Sequence, residues 1–190
     1  MTEVVLYHHV QGLTEGVRAF ADELREAGHI VHTPDLFDGR TFDTIEEGMG
    51  FARESGFGAL AERGVAAADE LRRDGVYGGF SFGVMPAQQL AQTRAGARGA
   101  LLMCSCLPAS EFGGWPEGVP AQVHGKEADP FFDEDLEAAR ALVDSTEEAE
   151  LFLYPGDEHL FADSSLPAYD AGAATLLTER VLAFLDRVQG

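Results

Sequence analysis

The sequence predicts an α/β fold: a parallel, doubly wound sheet with helices on both faces. Short apolar runs of strand length alternate with longer stretches of helical periodicity. The connections between them are short, which parallel strands and crossover helices require. The 190 residues, 45% of them hydrophobic, suffice for one domain with a sizeable core, so residues 1–190 are read as a single domain without a separate lid.

The elements follow in order. Val4–His8 is a β-rich run. Glu15–Ala27 has apolar residues at 17, 20, 21, 24 and 27, a helical spacing that Gly28 can end. His29–Pro34 is a second strand. Residues 35–56 are rich in Gly and Asp, with room for one short helix. Phe57–Arg73 reads as a helix, Val76–Phe80 as a buried strand, and Val84–Thr93 as a helix that tolerates Pro86 in its first turn. Ala100–Met103 and Val119–His124 are strands, Asp133–Asp144 a helix, Glu150–Tyr154 a strand and Tyr169–Arg187 a closing helix. Such sheets place their sites at the carboxyl ends of the strands.

The charge balance excludes several partner classes. Asp and Glu number 33 against 13 Lys and Arg, a formal charge of −20. A surface that negative repels nucleic acid and anionic membranes. Lys126 is the only lysine. No apolar run is long enough to span a bilayer, and the first residues lack a basic region or a cleavage site. A cytoplasmic monomer or homodimer is expected.

Gly79-Phe80-Ser81-Phe82-Gly83 is a G-x-S-x-G pattern between a strand and a helix. That context places Ser81 on a sharp strand-to-helix turn, with the helix dipole and free N–H groups aimed at a reacting oxygen. A serine hydroxyl needs a base. The α/β-hydrolase fold implied by this elbow orders its residues Ser, then Asp or Glu, then His. Two histidines follow Ser81. His124 ends a strand, whereas His159 lies in the turn-rich Pro155–His159 loop after the last strand. The acid belongs on the preceding loop, 125–130. Asp129 is the choice, with Glu127 the nearest competitor and Asp133 starting the next helix. Ser81, His159 and Asp129 are therefore the expected nucleophile, base and acid. Surface or capping roles for the latter two are the bland alternative.

With these residues in place, the chain resembles the dienelactone hydrolase family. The likeness rests on His8-His9-Val10-Gln11-Gly12, Thr33-Pro34-Asp35-Leu36-Phe37, the elbow, the Gly125–Asp129 turn and His159-Leu160-Phe161-Ala162, and runs from about residue 4 to the C-terminus. It implies a Cys, Asp, His triad in the lactone-cleaving members. Here the nucleophile position is Ser81, which moves the expected chemistry toward a serine esterase. By position, the backbone N–H groups of Phe82 and Val10 would form the oxyanion hole. The lactone-cleaving enzymes carry a Glu where His9 stands and a carboxylate-binding Arg where Asp163 stands. His9 is then expected to line the pocket and His8 to pack, with Arg53 or Arg40 compensating for the missing Arg. Phe82, Phe112, Trp115 and Phe161 are candidate pocket walls, with Phe80 at least as well suited to the core.

No cofactor or metal is expected. Adjacent histidines on an extended segment point to opposite faces, so His8 and His9 cannot easily share one ion. Cys104 and Cys106, read as extended, are poorly placed to bridge each other. No phosphate-binding glycine signature is present. The expected substrate is a small-molecule ester or lactone. A weakly catalytic or non-catalytic binding protein on the same fold is the alternative, and a thioesterase or peptidase is a third reading of the same triad.

Overall fold

The computed structural model describes residues 1–189. Its elements, in chain order, are β1 (Glu3–Tyr7), α1 (Glu15–Glu26), β2 (Ile30–His32), α2 (Ile45–Ser55), α3 (Phe57–Ala67), β3 (Val76–Phe80), α4 (Val84–Thr93), β4 (Gly99–Met103), β5 (Ala121–Lys126), α5 (Pro130–Asp133), α6 (Leu136–Ser145), β6 (Ala149–Tyr154) and α7 (Ala171–Arg187). The six strands form one sheet in the order β2-β1-β3-β4-β5-β6. All neighbours are parallel, in registers such as Val4↔Val76 and Val76↔Gly99. This is the α/β-hydrolase architecture.

The sheet residues alternate between two apolar clusters, as the strand period requires. Val4, Leu6, Val76 and Leu101 face α1 and α7, meeting Val17, Phe20, Leu177 and Phe184. Val5, Tyr7, Tyr77 and Leu102 face the other way, toward Leu60 of α3, Leu90 of α4 and Leu142 of α6. Fully buried side chains such as Leu177 and Phe184 each contribute roughly 1.5–3 kcal/mol. Strands covered on both faces need continuous apolar runs, which explains the wholly buried β3 and β4.

Several boundaries differ from the sequence reading. Residues 35–56 contain an eleven-residue helix, α2, opened by a reciprocal capping box between Thr44 and Glu47. Gly56, at φ 85°, separates it from α3, which stops at Ala67 instead of reaching Arg73. β5 begins after Pro120, which has no N–H for the ladder, and extends to Lys126. Asp129 and Pro130 start a separate short helix before α6. Strand order turns outward in opposite directions from β1 and β3, which puts the topological switch point of the sheet at their carboxyl ends, the place where such sheets carry their sites.

Candidate active site

The turn after β3 places Ser81 at that switch point. Ser81 takes φ 49°, a left-handed conformation disfavoured for a side-chain-bearing residue. The turn is tight because both flanking glycines are crowded by backbone. A Cβ on Gly79 would collide with the Gly83 carbonyl, and one on Gly83 would lie 2.5 Å from the Tyr7 carbonyl oxygen and 2.7 Å from that of His8. The missing side chains thus let the elbow seat against the end of β1.

The loops after β5 and β6 bring the other two groups together. His159 Nε2 lies 2.8 Å from Ser81 Oγ, and His159 Nδ1 lies 2.6 Å from Asp129 Oδ2. A proton on Nδ1 donated to Asp129 leaves Nε2 free to accept the Ser81 hydroxyl proton. Asp129 is 1% exposed, and its other oxygen accepts the Phe131 N–H at 2.9 Å, capping α5. Glu127 and Asp133 stay exposed. His124 is buried within the sheet, bonded to Tyr154 and Gln122, and burial lowers its pKa to about 3.

Val10 is buried just beyond β1, and its N–H meets no protein acceptor among the described residues. Phe82 occupies the first turn after Ser81, where backbone N–H groups lack helical partners. Its ring packs 6.0 Å from those of Phe37 and Phe57.

Four expectations need correction. His9 does not line a pocket: it is 0% exposed, its Nε2 is 2.7 Å from Asp163 Oδ2, and its Nδ1 accepts the Gln11 N–H. Asp163 does not face substrate either. It also accepts from Thr14 Oγ1 and from the N–H and hydroxyl of Ser165. Burial opposes its ionisation, but bonds from His9, Ser165 and Thr14 hold its pKa at about 2. Phe161 is core rather than pocket wall, fully buried with its ring 5.2 Å from that of Tyr154. Cys104 is left-handed at φ 62°, so the segment carrying it is not extended; both thiols are free and buried.

The remaining residues are less central. Arg53 projects exposed from the last turn of α2. Arg40 lies over the Phe51 ring. Trp115 is half-buried and donates its indole N–H to the Val119 carbonyl, which fastens its own loop. Phe112 is half-buried in that same loop and Phe80 is buried in the core. His8 packs edge-on to Phe37, accepts the Leu36 N–H, and has its pKa lowered to about 4 by burial. No cluster of three or more His, Cys, Asp or Glu suited to a metal exists among the described residues, and no described helix is long and apolar enough to cross a membrane.

Two residues escaped the sequence reading. Phe131, half-exposed, sets its ring 4.8 Å from the His159 imidazole. The Asp-Pro start of a short helix signals a cap, but not the contact. Lys126 is buried at the end of β5. Its Nζ donates to Asp170 at 2.5 Å and to the Pro155 carbonyl at 2.7 Å, and pairs with Glu158 at 3.2 Å. Burial works against its charge, but these carboxylates raise its pKa overall.

An elbow serine, an imidazole and a carboxylate at the carboxyl ends of parallel strands define a hydrolase of the α/β-hydrolase class. The chain belongs to the dienelactone hydrolase family, whose model matches residues 1–189. No curated protein matches it. Among solved structures, it is similar to a dienelactone hydrolase-like promiscuous phosphotriesterase from metagenomic libraries, at 19% identity and a TM-score of 0.75, covering 100% of this chain and 87% of that one. It is similar to a protein from Klebsiella pneumoniae subsp. pneumoniae provisionally described as a dienelactone hydrolase, at 15% identity and a TM-score of 0.73, covering 98% of this chain and 87% of that one. Carboxyl esterase 2 of the fungus Tuber melanosporum matches at 14% identity and a TM-score of 0.65, covering 100% of this chain and 78% of that one.

Proposed function

We propose that this protein is a serine hydrolase that cleaves a small ester or lactone through Ser81, His159 and Asp129. The observation that carries the reading is the unbroken hydrogen-bonded chain from Asp129 through His159 to Ser81. The Ser81 oxygen attacks the carbonyl carbon while its proton passes to His159 Nε2. The electron pair displaced onto the carbonyl oxygen is stabilised by the Phe82 and Val10 N–H groups. Collapse of this intermediate breaks the bond to the leaving oxygen, which takes the proton from His159. Water then attacks the acyl carbon and gives a proton to His159, and collapse of the second intermediate breaks the bond to Ser81 Oγ, which takes that proton as the acid is released. Asp129 holds the imidazole tautomer and stabilises its cationic form.

A neutral substrate fits better than an anionic one. The net charge of −20 opposes an approaching carboxylate, and the position occupied by an Arg in the lactone-cleaving relatives is a buried Asp163. The substrate is accordingly a small neutral molecule in the cytoplasm, taken by a monomer or homodimer without cofactor.

The test is hydrolysis of p-nitrophenyl acetate by wild type and Ser81→Ala, beside labelling with a fluorophosphonate. Turnover and labelling should both disappear in the variant. A folded wild type that neither turns over nor labels would refute the proposal and favour a binding protein on this fold.

A further inference from the structure

The imidazole of His159 is delivered by a loop with little to hold it. Pro155, Gly156, Asp157 and Glu158 are all exposed, and burial resumes only at His159. Apart from the contacts of His159 itself with Ser81 and the Phe131 ring, the loop between Tyr154 and Leu160 meets the body through one segment, 126–129. Ala128 donates its N–H to Gly156 O, Asp129 meets His159, and Lys126 supplies the rest.

Lys126 is built into this junction. Its side chain is 1% exposed. A buried ammonium is costly unless its donors are satisfied, and here the partners are Pro155 O, Asp170 Oδ2 and Glu158 Oε2. Two of these lie in the loop, one being the residue before His159. The third, Asp170, caps α7 through the Gly172 and Ala173 N–H groups. The ammonium also sits 5.3 Å from the Phe161 ring centroid. Gly156, at φ 111°, lets the loop fold over it: a Cβ there would lie 2.9 Å from Lys126 Nζ.

We propose that Lys126 is a positioning residue, whose buried ammonium fixes the 155–158 loop so that His159 stands between Asp129 and Ser81. Its relevance to catalysis rests on the serine hydrolase reading above, whereas its hold on the loop does not. Lys126 touches no reacting atom. Its effect passes through the Pro155 carbonyl and Glu158, which bracket the loop, and it ties that loop to a rigid strand on one side and a helix N-terminus on the other. A near-attack arrangement is sensitive to displacements of about 1 Å, so slackening such a loop lowers turnover more than binding.

Lys126→Met keeps an unbranched side chain one atom shorter and removes the charge. With p-nitrophenyl acetate, kcat should fall at least tenfold while KM stays within twofold. Backbone hydrogen exchange should accelerate tenfold or more at residues 156–160, with the amides of β1, β3 and β4 unchanged. Gly156→Ala, which crowds the same ammonium, should lower kcat as well, and the two substitutions combined should cost less than the product of their separate effects. If Lys126→Met does not fold, Asp170→Asn replaces it: one ion-pair partner is lost, the Oδ1 cap is kept, and the same pattern should appear in smaller degree. Unchanged kcat and unchanged local exchange in a folded variant would overturn the proposal, as would a change in KM alone. Should the wild type hydrolyse no ester, the serine hydrolase reading fails by itself, and the exchange measurement still decides whether Lys126 holds the loop.

Discussion

Replacing Asp163 with Asn should destabilise the fold by about 3–5 kcal/mol, although the change is nearly isosteric. Holding a buried carboxyl at about 2, against about 3.8 when unfolded, corresponds to roughly 2.5 kcal/mol at neutral pH. Asn also cannot satisfy the site. Oδ2 receives His9 Nε2 and the Thr14 hydroxyl, while Oδ1 receives the Ser165 N–H and hydroxyl. Whichever way the amide turns, its NH2 faces at least one N–H donor, which adds roughly 1–3 kcal/mol for the unmet group. For a chain of this length the sum lowers Tm by roughly 10 °C. Scanning calorimetry measures it. Because the folded pKa is depressed, the wild-type advantage is fully present above about 3.8 and is lost only as pH falls through about 2. The deficit of the variant should therefore be equal at pH 5 and pH 8. A Tm within about 2 °C of wild type would refute the reasoning, because no buried, ionised and fully bonded carboxylate could then be present.

Three further outcomes are expected. Asp129→Asn should preserve the fold and lower kcat about 10⁴-fold by offering the wrong tautomer to His159, measured with p-nitrophenyl acetate; a loss under tenfold would remove Asp129 from the mechanism. Gly83→Ala should abolish esterase activity and lower Tm, since its Cβ would press on the Tyr7 and His8 carbonyls; full activity would contradict the close approach of the elbow to β1. His8 and His124, held neutral by burial at about 4 and about 3, should make the protein acid-labile. Protons bind the unfolded imidazoles below about 6.5 but not the folded ones, so each costs about 2 kcal/mol between pH 7 and pH 5. Urea midpoints at the two pH values test this, and His124→Gln should remove about half of the fall attributed to the pair.

The order of strands and helices was readable because its signals are local. Apolar runs marked the strands, periodicity marked α1 and α7, and the elbow announced itself by two glycines around a serine. Contacts between distant segments were not. His9 and Asp163 meet across 154 residues, and nothing local distinguishes a buried His–Asp pair from two residues facing a pocket. Phe161 reads as a pocket wall because it neighbours His159 in sequence, yet the chain turns after His159 and sends Phe161 beneath Lys126. α2 was largely hidden because its two glycines and acidic residues resemble a loop, and only its capping box betrays it.

The burial of Lys126 has one more consequence. It is the only lysine, and its ammonium is enclosed, so the folded surface presents guanidinium and carboxylate groups but no side-chain amine. Activated esters and lactones acylate exposed amines, and guanidinium groups stay protonated and unreactive toward them at neutral pH. If the site handles acyl donors as proposed, the rest of the molecule has almost nothing with which to capture them.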